Sequence, residues 1–149
     1  MALLYLDTSA FVKLYVEERG SERMLELAHP DAGHRLTILA LTCVEFRAAL
    51  RRRVQLGDLE TTLATSLIDQ MKGHLESIFV VQPMTDAVLD AASAVLDRHT
   101  LRANDALQLG GGLVVRQSAG DSEFWFVTSD HDLIEPAAAE GLHVVDPTD

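Results

Sequence analysis

Short apolar runs alternate with helix-period segments along the whole chain, and this alternation restricts the fold more than any other feature of the sequence. Residues 2–6, 36–39, 78–81, 123–128 and 142–145 read as strands. The stretch Ser9–Val16 predicts a first helix, and Ser21 is placed to cap a second through Ala28. Thr42 opens a helix carrying Phe46, Ala49, Leu50 and Val54 at helical spacing. Leu59, Leu63, Leu67, Met71 and Leu75 recur at four-residue intervals in the next helix, and Val88, Leu89, Ala92, Val95 and Leu96 share a face over 85–99. Further helices cover 103–116 and 132–139. Strands alternating with helices predict an α/β architecture with a parallel sheet. The chain has no repeat, low-complexity tract or linker, so residues 1–149 are expected to form one domain. One stretch resists the pattern. Gly110-Gly111-Gly112 costs about 1 kcal/mol per glycine in an exposed helix, so either a neighbouring backbone approaches closely there or the helix is broken.

Composition removes several function classes. Hydrophobic residues make up 48% and charged residues 23%, the balance of a globular chain rather than a disordered one. The lone Cys43 has no disulfide partner, which predicts a cytoplasmic protein, and the following helix is expected to turn it into the core. Met1–Leu6 is apolar but has no basic leader and is cut short by Asp7, so it reads as a strand and not a signal peptide. No apolar run approaches the ~20 residues that span a bilayer, and no membrane role is expected. The six histidines lack zinc-type spacing. The triple glycine lacks the lysine of a phosphate-binding loop, and no Ser-His-Asp set can be assembled.

Four acids stand at strand–helix handovers. Asp7 follows the first strand, Glu45 lies in the opening of the helix after the second, Asp105 opens the helix 103–116, and Asp130 follows the fourth strand. In an open parallel sheet such points converge on one crevice. Two unit charges ~4 Å apart interact by about 4 kcal/mol at an effective dielectric of 20, so converging carboxylates repel one another. A hard divalent cation bound through oxygen converts that repulsion into affinity. Each acid also has a plain capping role: Asp7 and Asp130 ahead of helices, Thr42–Glu45 as a capping box, and Asn104 with Asp105 in a first helical turn. Capping alone does not account for their joint placement. A net charge of −11 opposes binding of a phosphate polymer, but Arg47, Arg51, Arg52 and Arg53 cluster just beyond Glu45 and supply local positive charge. Arg47, Arg51 and Arg52 are therefore candidate contacts for RNA or a partner.

The opening Leu4-Tyr5-Leu6-Asp7-Thr8-Ser9-Ala10-Phe11-Val12-Lys13-Leu14-Tyr15 resembles the start of PIN-domain proteins, especially the VapC-type toxins of bacterial toxin–antitoxin pairs. Thr42–Glu45 with Arg47-Ala48-Ala49-Leu50 is similar to their second motif, Leu101–Leu107 to their third, and Val127–Leu133 to their fourth. No one of these motifs is specific, but the ordered set is. The resemblance implies a three-layer α/β/α sandwich with a five-stranded parallel sheet in 3-2-1-4-5 order. It implies an endoribonuclease dependent on Mg²⁺ or Mn²⁺, silenced by a cognate VapB-type antitoxin, and a homodimer is expected. Asp7, Glu45, Asp105 and Asp130 match the family's acidic positions, with Thr8, Ser9 and Thr128 as supporting polar positions and Asp132 as an additional acid. Asp7 and Asp105 are expected as direct metal ligands. Asp130 would be a ligand directly or through water, and Glu45 a ligand or the base that orients water; one metal and two both remain open. The triple glycine departs from the family's usual alanine-rich helix. Two other readings stay in view. A phospho-accepting receiver module needs an Asp ending the third strand and a Lys after the fifth, where this chain has Gln82-Pro83 and Asp146-Pro147. An inactive PIN-like binding module is the second, though all four acids are present.

Overall fold

The computed structural model describes residues 1–149. Five strands form one all-parallel sheet: β1 (Leu3–Leu6), β2 (Arg35–Leu39), β3 (Phe79–Gln82), β4 (Phe124–Val127) and β5 (His143–Val145), in the order β3-β2-β1-β4-β5. The receiver order, 2-1-3-4-5, is a different topology. Strand β1 lies at the centre and all four of its residues are buried, which is why it reads as an unbroken apolar run.

Seven helices cover the two faces: α1 (Thr8–Val12), α2 (Ser21–Ala28), α3 (Ala40–Leu56), α4 (Thr61–Ser77), α5 (Asp86–Arg98), α6 (Ala103–Ser118) and α7 (His131–Ala139). The pleat of β1 sends Leu4 and Leu6 to one side and Leu3 and Tyr5 to the other. Leu4 and Leu6 join Phe11, Met24, Ile38, Phe46, Leu50 and Ile68, so α1–α4 cover that face. Leu3 and Tyr5 join Leu39, Val88, Leu109, Phe126 and Leu133, so α5–α7 cover the opposite face. The result is the three-layer α/β/α sandwich.

Several local expectations are corrected. Helix α3 starts at Ala40 with Leu39 as its N-cap, so Thr42 and Glu45 do not make a capping box. Thr42 is instead buried within the first turn. Helix α2 is capped by Gly20 at φ 93°, and the Ser21 hydroxyl bonds back to the Val16 carbonyl at 3.2 Å. Helix α1 ends at Val12, and tighter bonds, such as Tyr15 N–H to the Val12 carbonyl, continue the turn. Cys43 is only partly buried against the core. In α4 the buried face is Ala64, Ile68 and Met71, and Leu63 is 49% exposed. A strict four-residue ladder advances about 40° per step past a full turn, so it drifts off any one face. In α5, Val88, Ala92 and Val95 are buried, whereas Leu89 and Leu96 lie outward.

The triple glycine lies in an unbroken α6, and all three residues are buried. A Cβ on Gly110 would fall 2.6 Å from the Ala92 backbone nitrogen on α5. One on Gly111 would meet the Tyr5 hydroxyl at 2.6 Å, and one on Gly112 would meet the Phe126 ring at 2.7 Å. Successive residues of a helix point about 100° apart. The run therefore lets one turn of α6 press against α5, β1 and β4 at once.

Candidate active site

The parallel register places Leu6 opposite both Ile38 and Val127, so β1, β2 and β4 end at one level. Because β2 and β4 flank β1 on opposite sides, this edge is the topological switch point of the sheet. Asp7 emerges there. Its N–H extends the ladder to the Val127 carbonyl at 3.1 Å, and its carboxylate caps α1. Oδ1 accepts from Ser9 Oγ at 2.6 Å and Ala10 N at 3.2 Å, and Oδ2 accepts from Thr128 Oγ1 at 2.9 Å. All three donors are neutral. Burial pushes the Asp7 carboxyl up to about 6, against the pull of those hydrogen bonds, and the charge of Asp130 adds to the rise.

The other acids arrive from separate elements. Glu45, in the second turn of α3, accepts from Thr8 Oγ1 and Gln108 Nε2, both at 2.8 Å. Asp105 lies in the first turn of α6, where burial and then the Asp130 charge raise its carboxyl, while Arg102 Nε at 3.6 Å opposes the rise. Asp130 caps α7 by accepting from Asp132 N at 2.9 Å, and its own N–H donates to Thr128 Oγ1 at 3.0 Å. Thr128 therefore joins Asp7 and Asp130 through one hydroxyl.

Asp7, Glu45, Asp105 and Asp130 all line one cavity of about 440 Å³. Thr8, Ser9, Arg52, Arg102, Asn104 and Gln108 complete its polar wall, and Ala103 is the single apolar lining residue. Thr128 stands behind the wall. Asp132 is exposed and outside the cavity, although its charge contributes weakly to the rise at Asp105. Of the arginines named from the sequence, Arg52 reaches the cavity, whereas Arg47 and Arg51 are exposed away from it. Arg53 turns toward Glu18 and Asp58, each at 3.4 Å.

Sequence reasoning missed Gln108, Tyr5 and Arg102. Gln108 lies three residues after Asp105, on the same helical face, and is the one polar side chain in an otherwise apolar stretch. That spacing was the available signal. The ligating groups in the lining are carboxylate, hydroxyl and amide oxygens, with no thiol or imidazole, a donor chemistry that suits a hard cation such as Mg²⁺ or Mn²⁺. No three acids form a ready-made cage, but four of them line a shared cavity.

A family model for the PIN domain matches residues 4–138. This chain belongs to the PIN domain family. Among solved structures, this PIN domain is similar to a toxin–antitoxin complex from Klebsiella pneumoniae, with 17% identity, a TM-score of 0.65, and 99% of this chain and 98% of that one covered. It is similar to VapBC2 from Rickettsia felis bound to a promoter DNA fragment, at 13% identity and a TM-score of 0.67, covering 97% and 98%. It is also similar to PAE2754 from Pyrobaculum aerophilum, at 22% identity and a TM-score of 0.64, covering 98% and 90%. At these identities the likeness carries the fold. No curated protein sequence matches the chain. No helix of the PIN domain is long and apolar enough to cross a membrane.

Proposed function

We propose that this PIN domain is the toxin of a toxin–antitoxin pair, acting as an endoribonuclease that depends on Mg²⁺ or Mn²⁺. The observation that carries the reading is the convergence of Asp7, Glu45, Asp105 and Asp130, from four separate segments, on one polar cavity. The PIN family supports nuclease chemistry. Solved structures of the same fold include toxin–antitoxin complexes, which supports an antitoxin partner. A homodimer is part of the same proposal, with the outward-facing Leu89 and Leu96 of α5 as candidate contacts.

Asp7, Asp105 and Asp130 would hold the cation, because they supply charged oxygens at the switch point. When bound, such an ion polarises a phosphoryl oxygen and lowers the pKa of a bound water. Asp7 keeps its orientation through Ser9, Ala10 and Thr128. Arg52 and Arg102 contribute the positive charge at the cavity that a phosphate needs on a chain of net charge −11. Glu45, whose hydrogen bonds fall on one oxygen only, would either complete the ligand set or orient the attacking water. An antitoxin that silences the site would do so most directly with an Arg, whose fork matches a carboxylate in the cation's place. The test is cleavage of mixed RNA by purified protein in Mn²⁺, in Mg²⁺ and in EDTA. Cleavage that needs the metal and disappears in Asp105→Asn is expected; metal-independent cleavage, or none, overturns the reading.

A further inference from the structure

Gln108 is 2% exposed in the middle of α6, a costly place for an amide unless its hydrogen bonds are met. Its Nε2 lies 2.8 Å from Glu45 Oε1, 2.9 Å from Thr42 Oγ1 and 3.1 Å from Thr8 Oγ1. The single Tyr5 hydroxyl proton is shared between the Gln108 backbone carbonyl at 2.9 Å and the Gln108 Oε1 at 3.2 Å. An amide has two N–H groups for these three oxygens. Thr8 gives its own proton to Glu45 at 2.8 Å, so the Gln108 protons go to Glu45 and Thr42. Turned over, the amide would put its carbonyl 2.8 Å from a carboxylate oxygen with no proton between them. The charge of Glu45 therefore fixes the amide in one orientation, to which the shared Tyr5 proton adds.

Both donors to Glu45 fall on the same oxygen. Thr8 and Gln108 occupy Oε1, and no hydrogen bond within the protein reaches Oε2. Both donors are neutral, so the full negative charge remains on the group. Oε2 is left as the single free oxygen, arranged to present a lone pair to water. Asp130 is the charge felt at both Asp7 and Asp105, so those three acids group together, apart from the buttress that Gln108 gives Glu45. Asp105 differs in kind: its nearest cationic neighbour, Arg102, is exposed and can swing away, and its other close neighbour is the acid Asp130.

We infer that Gln108 is a positioning residue that locks one oxygen of Glu45 so that this acid serves water rather than the metal. The inference rests on the nuclease reading above, and it chooses between the two roles the sequence left open for Glu45. Gln108 lines the cavity from α6, just before the triple glycine, and Tyr5 lies behind it on β1. The close approach of α6 to β1 at Gly111 is what brings the Gln108 amide within reach of α3.

The experiment compares wild type, Gln108→Met and Tyr5→Phe in steady-state RNA cleavage and in Mn²⁺ binding, followed by thermal shift with Mn²⁺ alone. Methionine keeps the length and removes the donor. Phenylalanine keeps the buried ring and removes the proton shared with the amide oxygen, so it carries the test if the methionine variant does not fold. Losing a hydrogen bond to a charged group typically costs about 10–100-fold. A fall of that size in kcat is expected for Gln108→Met, and a smaller one for Tyr5→Phe. In both variants KM and Mn²⁺ affinity should stay within about two-fold of wild type, while Asp105→Asn loses Mn²⁺ affinity. Unchanged kcat in both variants, or a loss of Mn²⁺ affinity matching the loss of kcat, would overturn the positioning role while leaving the nuclease standing. A wild type without metal-dependent cleavage overturns the functional reading and this inference with it.

Discussion

Thr128 Oγ1 donates to Asp7 Oδ2 at 2.9 Å across a separation of 121 residues, and Thr128 Oγ1 itself accepts the Asp130 N–H at 3.0 Å. One buried hydroxyl thus ties the acid after β1 to the acid after β4. Thr128→Val keeps the shape and leaves both groups short of a partner. Leaving a buried polar group unsatisfied costs roughly 1–3 kcal/mol, so a loss of that size is expected in urea denaturation at pH 8. Mn²⁺ affinity should fall as well, because Asp7 then loses its fixed direction.

Asp7 makes stability depend on pH in a definite direction. Its carboxyl has an ordinary value of 3.8 and is pushed up to about 6 by burial. The folded protein holds this proton more tightly than the unfolded chain does. The stabilising contribution is therefore fully present below pH 3.8 and is lost as pH rises through about 6. In metal-free buffer Asp7→Asn should be more stable than wild type above pH 6, by up to about 3 kcal/mol, taking about 1.4 kcal/mol for each tenfold change in proton affinity. The gain should vanish at pH 3.5. Denaturation curves at pH 3.5 and pH 8 in EDTA measure it, and equal gains at both would refute the assignment.

Glycines in two helices should respond oppositely to alanine. Gly73 in α4 has no atom within 4 Å of an added Cβ, so Gly73→Ala should stabilise by about 1 kcal/mol through helix propensity. Gly110→Ala would place its methyl 2.6 Å from the Ala92 backbone. Overpacking of this kind costs about 1–3 kcal/mol, which outweighs the propensity gain. Melting temperature should rise for the first variant and fall for the second.

Arginines should separate by position. Arg52 and Arg102 line the cavity and Arg51 does not. Arg52→Ala and Arg102→Ala should each weaken RNA binding and flatten its salt dependence by roughly one phosphate contact. Arg51→Ala should change both much less. Binding measured at three salt concentrations decides the matter, and equal effects at Arg51 and Arg52 would point to a diffuse basic face.

The sheet was legible because a central parallel strand is buried on both faces. Leu3–Leu6 and Phe124–Val127 therefore stand out as apolar runs. The four acids were legible because each lies where a strand exit or a helix start fixes its position. What was hidden depends on contacts between distant residues. Gln108 gains meaning only through Tyr5, Thr8, Thr42 and Glu45, which adjoin it in space and not in the chain. The choice between a close approach and a broken helix at Gly110–Gly112 needed the positions of α5 and β4 to resolve. Leu63 misled because a four-residue leucine ladder resembles a buried stripe, while the true face follows Ala64, Ile68 and Met71. Arg102 looked like any surface arginine until Asp105 appeared 3.6 Å away.

We propose that Asp7, Asp105 and Asp130 together hold a divalent cation. Mn²⁺ bound to the protein can be counted against free ion by electron paramagnetic resonance during a titration of wild type, Asp105→Asn and Asp130→Asn. The account predicts saturable binding by wild type, and at least a ten-fold loss of affinity, about 1.4 kcal/mol, in each variant. Mn²⁺ binding of equal strength in all three proteins would contradict it.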